Sequence, residues 1–126
     1  LATGTGFSPI RSMLAELVRQ KSSRNVHLYW GACKQDDLYA LIETQDYLRR
    51  LNNAHFTPVL TSPPPGWQGE SGCVQNTAAR DYPDLGGHEI YACCAPAMVE
   101  EAFALLTTQC GLPKGLFYSE DFTEAA

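Results

Sequence analysis

Helix-type and strand-type patterns take turns from one end of this sequence to the other, and that alternation limits the fold more than any single motif. An apolar stripe at Ile10, Met13, Leu14, Leu17 and Val18 predicts a helix over residues 9–21. After Ser22-Ser23-Arg24-Asn25, the β-branched and aromatic run Val26-His27-Leu28-Tyr29-Trp30 reads as a buried strand that Gly31 ends. A second helix starts at Asp36 or Asp37, carries Leu38, Leu41, Ile42, Tyr47, Leu48 and Leu51 on its apolar side, and stops at Asn52-Asn53. Residues 56–61 make the next strand, and Pro58, which lacks an N–H for a ladder, assigns it to an edge. The Pro-, Gly- and Trp-containing stretch 62–72 reads as a long loop without regular structure. A short helix over 74–81 ends before Pro83, and a strand over 88–93 follows. A helix over 96–110 turns Val99, Ala102, Phe103, Leu106 and Cys110 inward, and a strand over 116–119 comes last. Strands alternating with helices make an α/β protein whose parallel sheet is covered on both faces.

At 126 residues and 44% hydrophobic content the chain is one domain with a core of its own. No apolar run approaches the ~20 residues of a membrane-spanning helix, and no basic start leads into an apolar stretch as in a secretory leader. A net charge of -5 speaks against nucleic acid as a partner. The five cysteines contain no C-x-x-C pair, and their odd number reads as reduced thiols of a cytoplasmic protein. His27, His55 and His88 lie far apart, each beside a strand, and read as strand-edge histidines with no metal site. The chain starts at Leu1 rather than Met, so a fragment of a longer protein is expected.

In a parallel sheet the ligand sits beyond the carboxyl ends of the strands, where strand order reverses. The loops at that rim are Gly4-Thr5-Gly6, Gly31-Ala32-Cys33-Lys34, the 62–72 loop, Cys94-Ala95-Pro96 and Glu120-Asp121-Phe122, so every distinctive stretch of the sequence falls there. In Gly4-Thr5-Gly6-Phe7-Ser8-Pro9 two glycines permit a tight turn, Ser8 reads as an N-cap and Pro9 as the first helical residue. A glycine turn running into a helix N-terminus favours an anion. Pro9 replaces the third glycine of G-x-G-x-x-G, so by itself this turn is either a phosphate cradle or a plain turn.

Five stretches in order resemble the NAD(P)H-binding half of the ferredoxin–NADP⁺ reductase superfamily. They are closest to its bacterial flavin reductases, oxygenase reductases and CDP-deoxyhexulose-type reductases. Gly4-Thr5-Gly6-Phe7-Ser8-Pro9 is similar to G-T-G-x-x-P, and Leu28-Tyr29-Trp30-Gly31 with Asp37-Leu38-Tyr39 to the second strand and helix. Trp67-Gln68-Gly69 with Gly72 and Val74 resembles W-x-G-x-x-G-x-V. Tyr91-Ala92-Cys93 through Pro96-Ala97-Met98-Val99 resembles Y-x-C-G-x-P-x-M-V, and Glu120-Asp121-Phe122 the terminal E-x-aromatic. The expected fold is a three-layer α-β-α sandwich with a five-stranded parallel sheet of order 3-2-1-4-5, in which strand 1, Leu1-Ala2-Thr3, is truncated.

The resemblance implies that residues 1–126 are the NAD(P)H-binding domain of a flavoprotein reductase whose FAD domain lies upstream. It implies a cofactor set of Gly4, Thr5, Gly6, Pro9, Gly31, Cys33, Lys34, Cys93, Cys94, Ala95, Pro96 and Met98. Thr5 and Cys93 would stand beside the nicotinamide, and Glu120 and Phe122 on the flavin side. Two departures stand out: Cys94 occupies the place of a glycine, and Cys33 with Lys34 the place of an arginine that meets the ribose or a 2′-phosphate. A lone lysine beside Asp36 and Asp37 favours NADH over NADPH. Electrons would pass through FAD to an iron–sulfur protein or free flavin, so the chain alone is expected to be inactive as a reductase. The alternative is a nucleotide-binding sensor or scaffold on the same fold.

Overall fold

A computed structural model describes residues 1–121 of the chain. Its strands are β1 (Ala2–Thr3), β2 (Val26–Ala32), β3 (Ala54–Leu60), β4 (Glu70–Ser71), β5 (Ile90–Cys94) and β6 (Phe117–Asp121). Its helices are α1 (Phe7–Arg19), α2 (Leu41–Arg49), α3 (Val74–Asp81) and α4 (Pro96–Gln109). All strand pairs are parallel, in the spatial order β4-β3-β2-β1-β5-β6. With β4 set aside, the five strands read from the sequence stand in the expected order 3-2-1-4-5.

Successive strand residues point to opposite faces, and both faces are buried. On one side Ala2, Leu28, Trp30, Leu60 and Cys93 pack against Phe7, Ile10 and Leu14 of α1 and Leu48 of α2. On the other, Tyr29, Val59, Ala92 and Cys94 pack against Val74 and Ala78 of α3 and Val99, Ala102 and Leu106 of α4. Trp30, Phe7, Val59, Leu60 and Leu106 are entirely buried. Each such side chain contributes about 1.5–3 kcal/mol.

Four local expectations need correction. The 62–72 loop contains a short sixth strand, β4, paired through Val59↔Glu70 and Leu60↔Ser71. It is fixed by Gly72 N–H donating to Leu60 O (2.9 Å), the Trp67 indole donating to Glu70 O (3.0 Å) and the Arg80–Glu70 ion pair. The first helix starts at Phe7, straight out of a 3₁₀ turn over Gly4–Gly6, so Gly6 and not Ser8 is its N-cap. Pro9 still falls in the first turn, where a missing N–H costs nothing. The second helix starts at Leu41, because Asp36 and Asp37 close a separate 3₁₀ turn over Gln35–Asp37 and Leu38 leaves helical geometry at ψ 68°. That break resets the phase of the stripe and leaves Ile42 79% exposed, while Thr44 is buried with its hydroxyl donating to Ala40 O at 2.7 Å. β3 is an edge strand for most of its length, since β4 reaches only Val59 and Leu60. Thr61 N–H donates to Ala32 O and Leu60 O accepts from Gly72, so by alternation Pro58 turns its nitrogen outward, where no ladder bond is lost.

β1 lies at the centre of the sheet yet is two residues long. Beyond it the amino-terminal halves of β2 and β5 continue, carrying Val26, His27 and Ile90. At this end of the sheet His27 lies flat on Tyr29, ring centroids 4.1 Å apart, and is hydrogen-bonded through Nδ1 to the Tyr82 hydroxyl (2.8 Å) and through Nε2 to Thr57 Oγ1 (2.7 Å). Tyr29 in turn donates to Asp81 at 2.8 Å. Among the described residues there is no group of three or more His, Cys, Asp or Glu that could hold a metal.

Burial, helped by the nearby His55 and opposed by Asp81, holds the His27 pKa below its ordinary value. The ring titrates near pH 6.5 when unfolded. The unfolded chain therefore binds more protons as the pH falls, and stability declines below about pH 6.5. The urea midpoint should be lower at about pH 5.5 than at about pH 7.5, and His27→Gln should flatten that difference. An equal slope in the variant would remove His27 as its source.

Candidate functional site

Because the sheet is parallel, all carboxyl ends of the strands meet one rim. From β1 the sheet runs through β2 to β3 on one side and through β5 to β6 on the other, so strand order reverses between β1 and β5. α1 leaves this point over one face and α4 over the other. The turn Gly4–Gly6 joins β1 to α1, and Ala95 alone joins β5 to α4. Gly4 has φ +52°, where an L side chain is strained. The N-caps are Gly6 and Ala95, which have no capping side chain, and neither helix carries an acid in its first turn. The N-termini of α1 and α4 thus face the same rim of the sheet, where the positive ends of both helix dipoles favour an anion.

The structure brings most of the expected site residues to one place and sets the others apart. Gly4, Thr5, Gly6, Cys93, Cys94, Ala95 and Pro96 come together around the ends of β1 and β5, through the pairing Ala2↔Cys93. Pro9 follows in the first turn of α1, half-buried. Cys33 and Lys34 lie beyond β2, both exposed, with the Lys34 N–H donating to the Asp37 carboxylate at 3.1 Å. Glu120 stands exposed on β6 in register with Cys93. Met98 is half-buried against the α3/α4 core. Phe122 lies outside the described residues.

Gly31 is buried, and packing explains it. A Cβ there would stand 2.8 Å from Val74 Cγ1 and 3.4 Å from Thr3 Cγ2, so only glycine lets α3 close on β2. The adjacent cysteines differ in surroundings. Cys93 faces the α1 side with Ala2, Phe7 and Trp30, and Cys94 faces the α3/α4 side. Burial pushes the Cys93 thiol pKa up, so it stays neutral. A neutral thiol is a packing surface rather than a nucleophile.

Two residues of this region escaped the sequence reading. Trp30, read only as a core residue, donates its indole N–H to Gly4 O at 3.3 Å. A buried indole needs an acceptor, which was the one available signal. Gln75, in the first turn of α3, is 2% exposed and donates to Glu101 Oε2 at 3.0 Å, while its Oε1 has no partner among the described residues. Nothing in the spacing of the sequence marks it.

Residues 1–103 match the family described as "Oxidoreductase NAD-binding domain". The chain is 34% identical over 122 residues to the CDP-6-deoxy-L-threo-D-glycero-4-hexulose-3-dehydrase reductase of Yersinia pestis, covering 97% of this chain and 36% of that protein. It is 38% identical over 91 residues to the NAD(P)H-flavin reductase of Vibrio harveyi, covering 72% of this chain and 38% of that protein. Among solved structures, Amycolatopsis cytochrome P450 reductase GcoB superposes with a TM-score of 0.87 at 27% identity, over 99% of this chain and 37% of that one. The chain thus spans little more than a third of the length of these relatives.

The packing of Gly31 has a direct test. Gly31→Ala should lower stability by about 1–3 kcal/mol, the usual effect of overfilling a packed site. Combining it with Val74→Ala should lose less than the two single losses added together. Additive losses in denaturant titrations would show that the two residues do not contend for the same space.

Proposed function

The chain belongs to the oxidoreductase NAD-binding domain family, and from that premise we propose that it binds NADH or NADPH across the switch-point crevice and presents the nicotinamide to FAD on another domain. The observation that carries this reading is the pair of helix N-termini without capping side chains, those of α1 and α4, on either side of the Gly4–Gly6 turn. A dinucleotide pyrophosphate supplies the negative charge that those N–H groups and dipoles favour, and glycine allows it close to the backbone.

When bound, the dinucleotide would supply a hydride for an FAD carried on another domain. What this chain contributes is orientation. Thr5 and Cys93 place the nicotinamide ring, the neutral Cys93 thiol by packing, while Glu120 on the last strand and Phe122 meet the flavin side. Near-attack distances of roughly 3–3.5 Å make such placement a large part of catalysis. Electrons then move on to an iron–sulfur protein or free flavin. NADH is the preferred donor, because Asp36 and Asp37 outnumber Lys34 beyond β2, where a 2′-phosphate would lie. No helix among the described residues is long and apolar enough to cross a membrane. We place the protein in the cytoplasm.

The 126-residue chain should purify colourless, bind NADH in calorimetry and leave NADH unoxidised in the presence of ferricyanide. Gly6→Val should abolish binding. Joined to an FAD-bearing domain, it should give a yellow protein that oxidises NADH, in which Cys93→Ala lowers turnover more than it weakens NADH binding. Purification of the short chain with flavin, together with NADH oxidation at an enzymatic rate, would overturn this division of labour.

A further inference from the structure

The glycine turn is anchored at both ends to one side chain. Trp30 sits on β2 in register with Ala2 and is 0% exposed. Its indole N–H reaches across to the Gly4 carbonyl, where the turn begins (3.3 Å). Phe7, the first residue of α1 and also 0% exposed, stacks on the same indole with centroids 4.1 Å apart and 15° between planes. Tyr39 closes the cluster edge-on, 5.3 Å from the Trp30 ring and 6.3 Å from Phe7, with its hydroxyl 3.4 Å from Ser8 Oγ. Between these two fixed points lie only Thr5 and Gly6, and Gly6 has the backbone freedom of glycine.

We infer that Trp30 is a positioning residue for the dinucleotide: its indole fixes Gly4 and Phe7, and so holds the Gly4–Gly6 turn in the shape that points the first N–H groups of α1 at the pyrophosphate. This rests on the function proposed above. Without the indole N–H, the Gly4 carbonyl keeps only the backbone bond of the 3₁₀ turn, and the turn gains conformations that the ligand must then exclude, which weakens binding. The ring stack alone cannot replace it, because Phe7 lies beyond the second glycine. Trp30 acts through the turn, by its indole N–H on the Gly4 carbonyl and by its ring on Phe7.

Trp30→Phe keeps a stacked ring and removes the N–H. It should weaken NADH binding about tenfold in calorimetry while moving the melting temperature only a few degrees. Amide hydrogen exchange at Gly6 and Phe7 should quicken about tenfold without any ligand present. Leu48→Ala, a core change in α2, should lower the melting temperature and leave NADH affinity as it was. Wild-type affinity and wild-type exchange in Trp30→Phe would overturn the inference. So would a loss of affinity in Leu48→Ala that matches its loss of stability, because binding would then only follow global stability. Should the wild type itself fail to bind NADH, the proposed function falls, and the exchange rates alone decide whether Trp30 fixes the turn.

Discussion

A wholly parallel sheet cannot be closed by hairpins. Each connection must cross one of its faces, and each strand must be apolar on both sides. The central strands obey this rule residue by residue: Leu28 and Trp30 face α1 and α2 while Tyr29 between them faces α3, and Leu60 and Val59 divide in the same way. The crossings bring every strand to the same rim with its carboxyl end first. Where the order reverses, between β1 and β5, two helices leave over opposite faces and their N-termini converge. The crevice is therefore a product of the topology, and its side chains refine what the backbone already supplies.

That topology was legible because period and composition change together. The run Val26-His27-Leu28-Tyr29-Trp30 can be buried on both sides, and the α4 stripe from Val99 to Leu106 fits only a helix. The α3 limits were readable to the residue, with Pro83 just beyond them. Where the reading erred, tertiary contacts or local turns had overridden pattern. A strand of two residues, such as β4, has no period to detect, and it exists because Trp67, Arg80 and Leu60 each supply a bond from elsewhere in the chain. Ile42 was misplaced because the stripe was followed across Leu38, where a 3₁₀ turn had already changed the phase.

The site was legible at its glycines and less so at its supports. Gly4 and Gly6 announce a tight turn, and Gly4 does adopt the left-handed geometry that favours glycine. Gly31, which belongs to the same rim, owes its identity to Val74, a contact between residues far apart in sequence that no spacing rule encodes. Ser8 looked like a cap because it precedes a proline. The 3₁₀ turn over Gly4–Gly6 lets the helix begin earlier, and its N-cap is Gly6. Trp30 and Gln75 escaped for a shared reason: each matters through a polar atom on a side chain that otherwise counts as buried.

Cys93 and Cys94 are neighbours in the chain, yet one belongs to the layer under α1 and α2 and the other to the layer under α3 and α4. Alternation along the strand sends their sulfurs to opposite sides of the sheet, so the extended backbone that buries both also keeps them from joining to each other. Each thiol is covered by the helices of its own layer, Cys93 at 2% and Cys94 at 1% exposure. The pair is thus a built-in chemical reporter, able to tell by the order in which two adjacent residues are alkylated which side of the molecule loosens first.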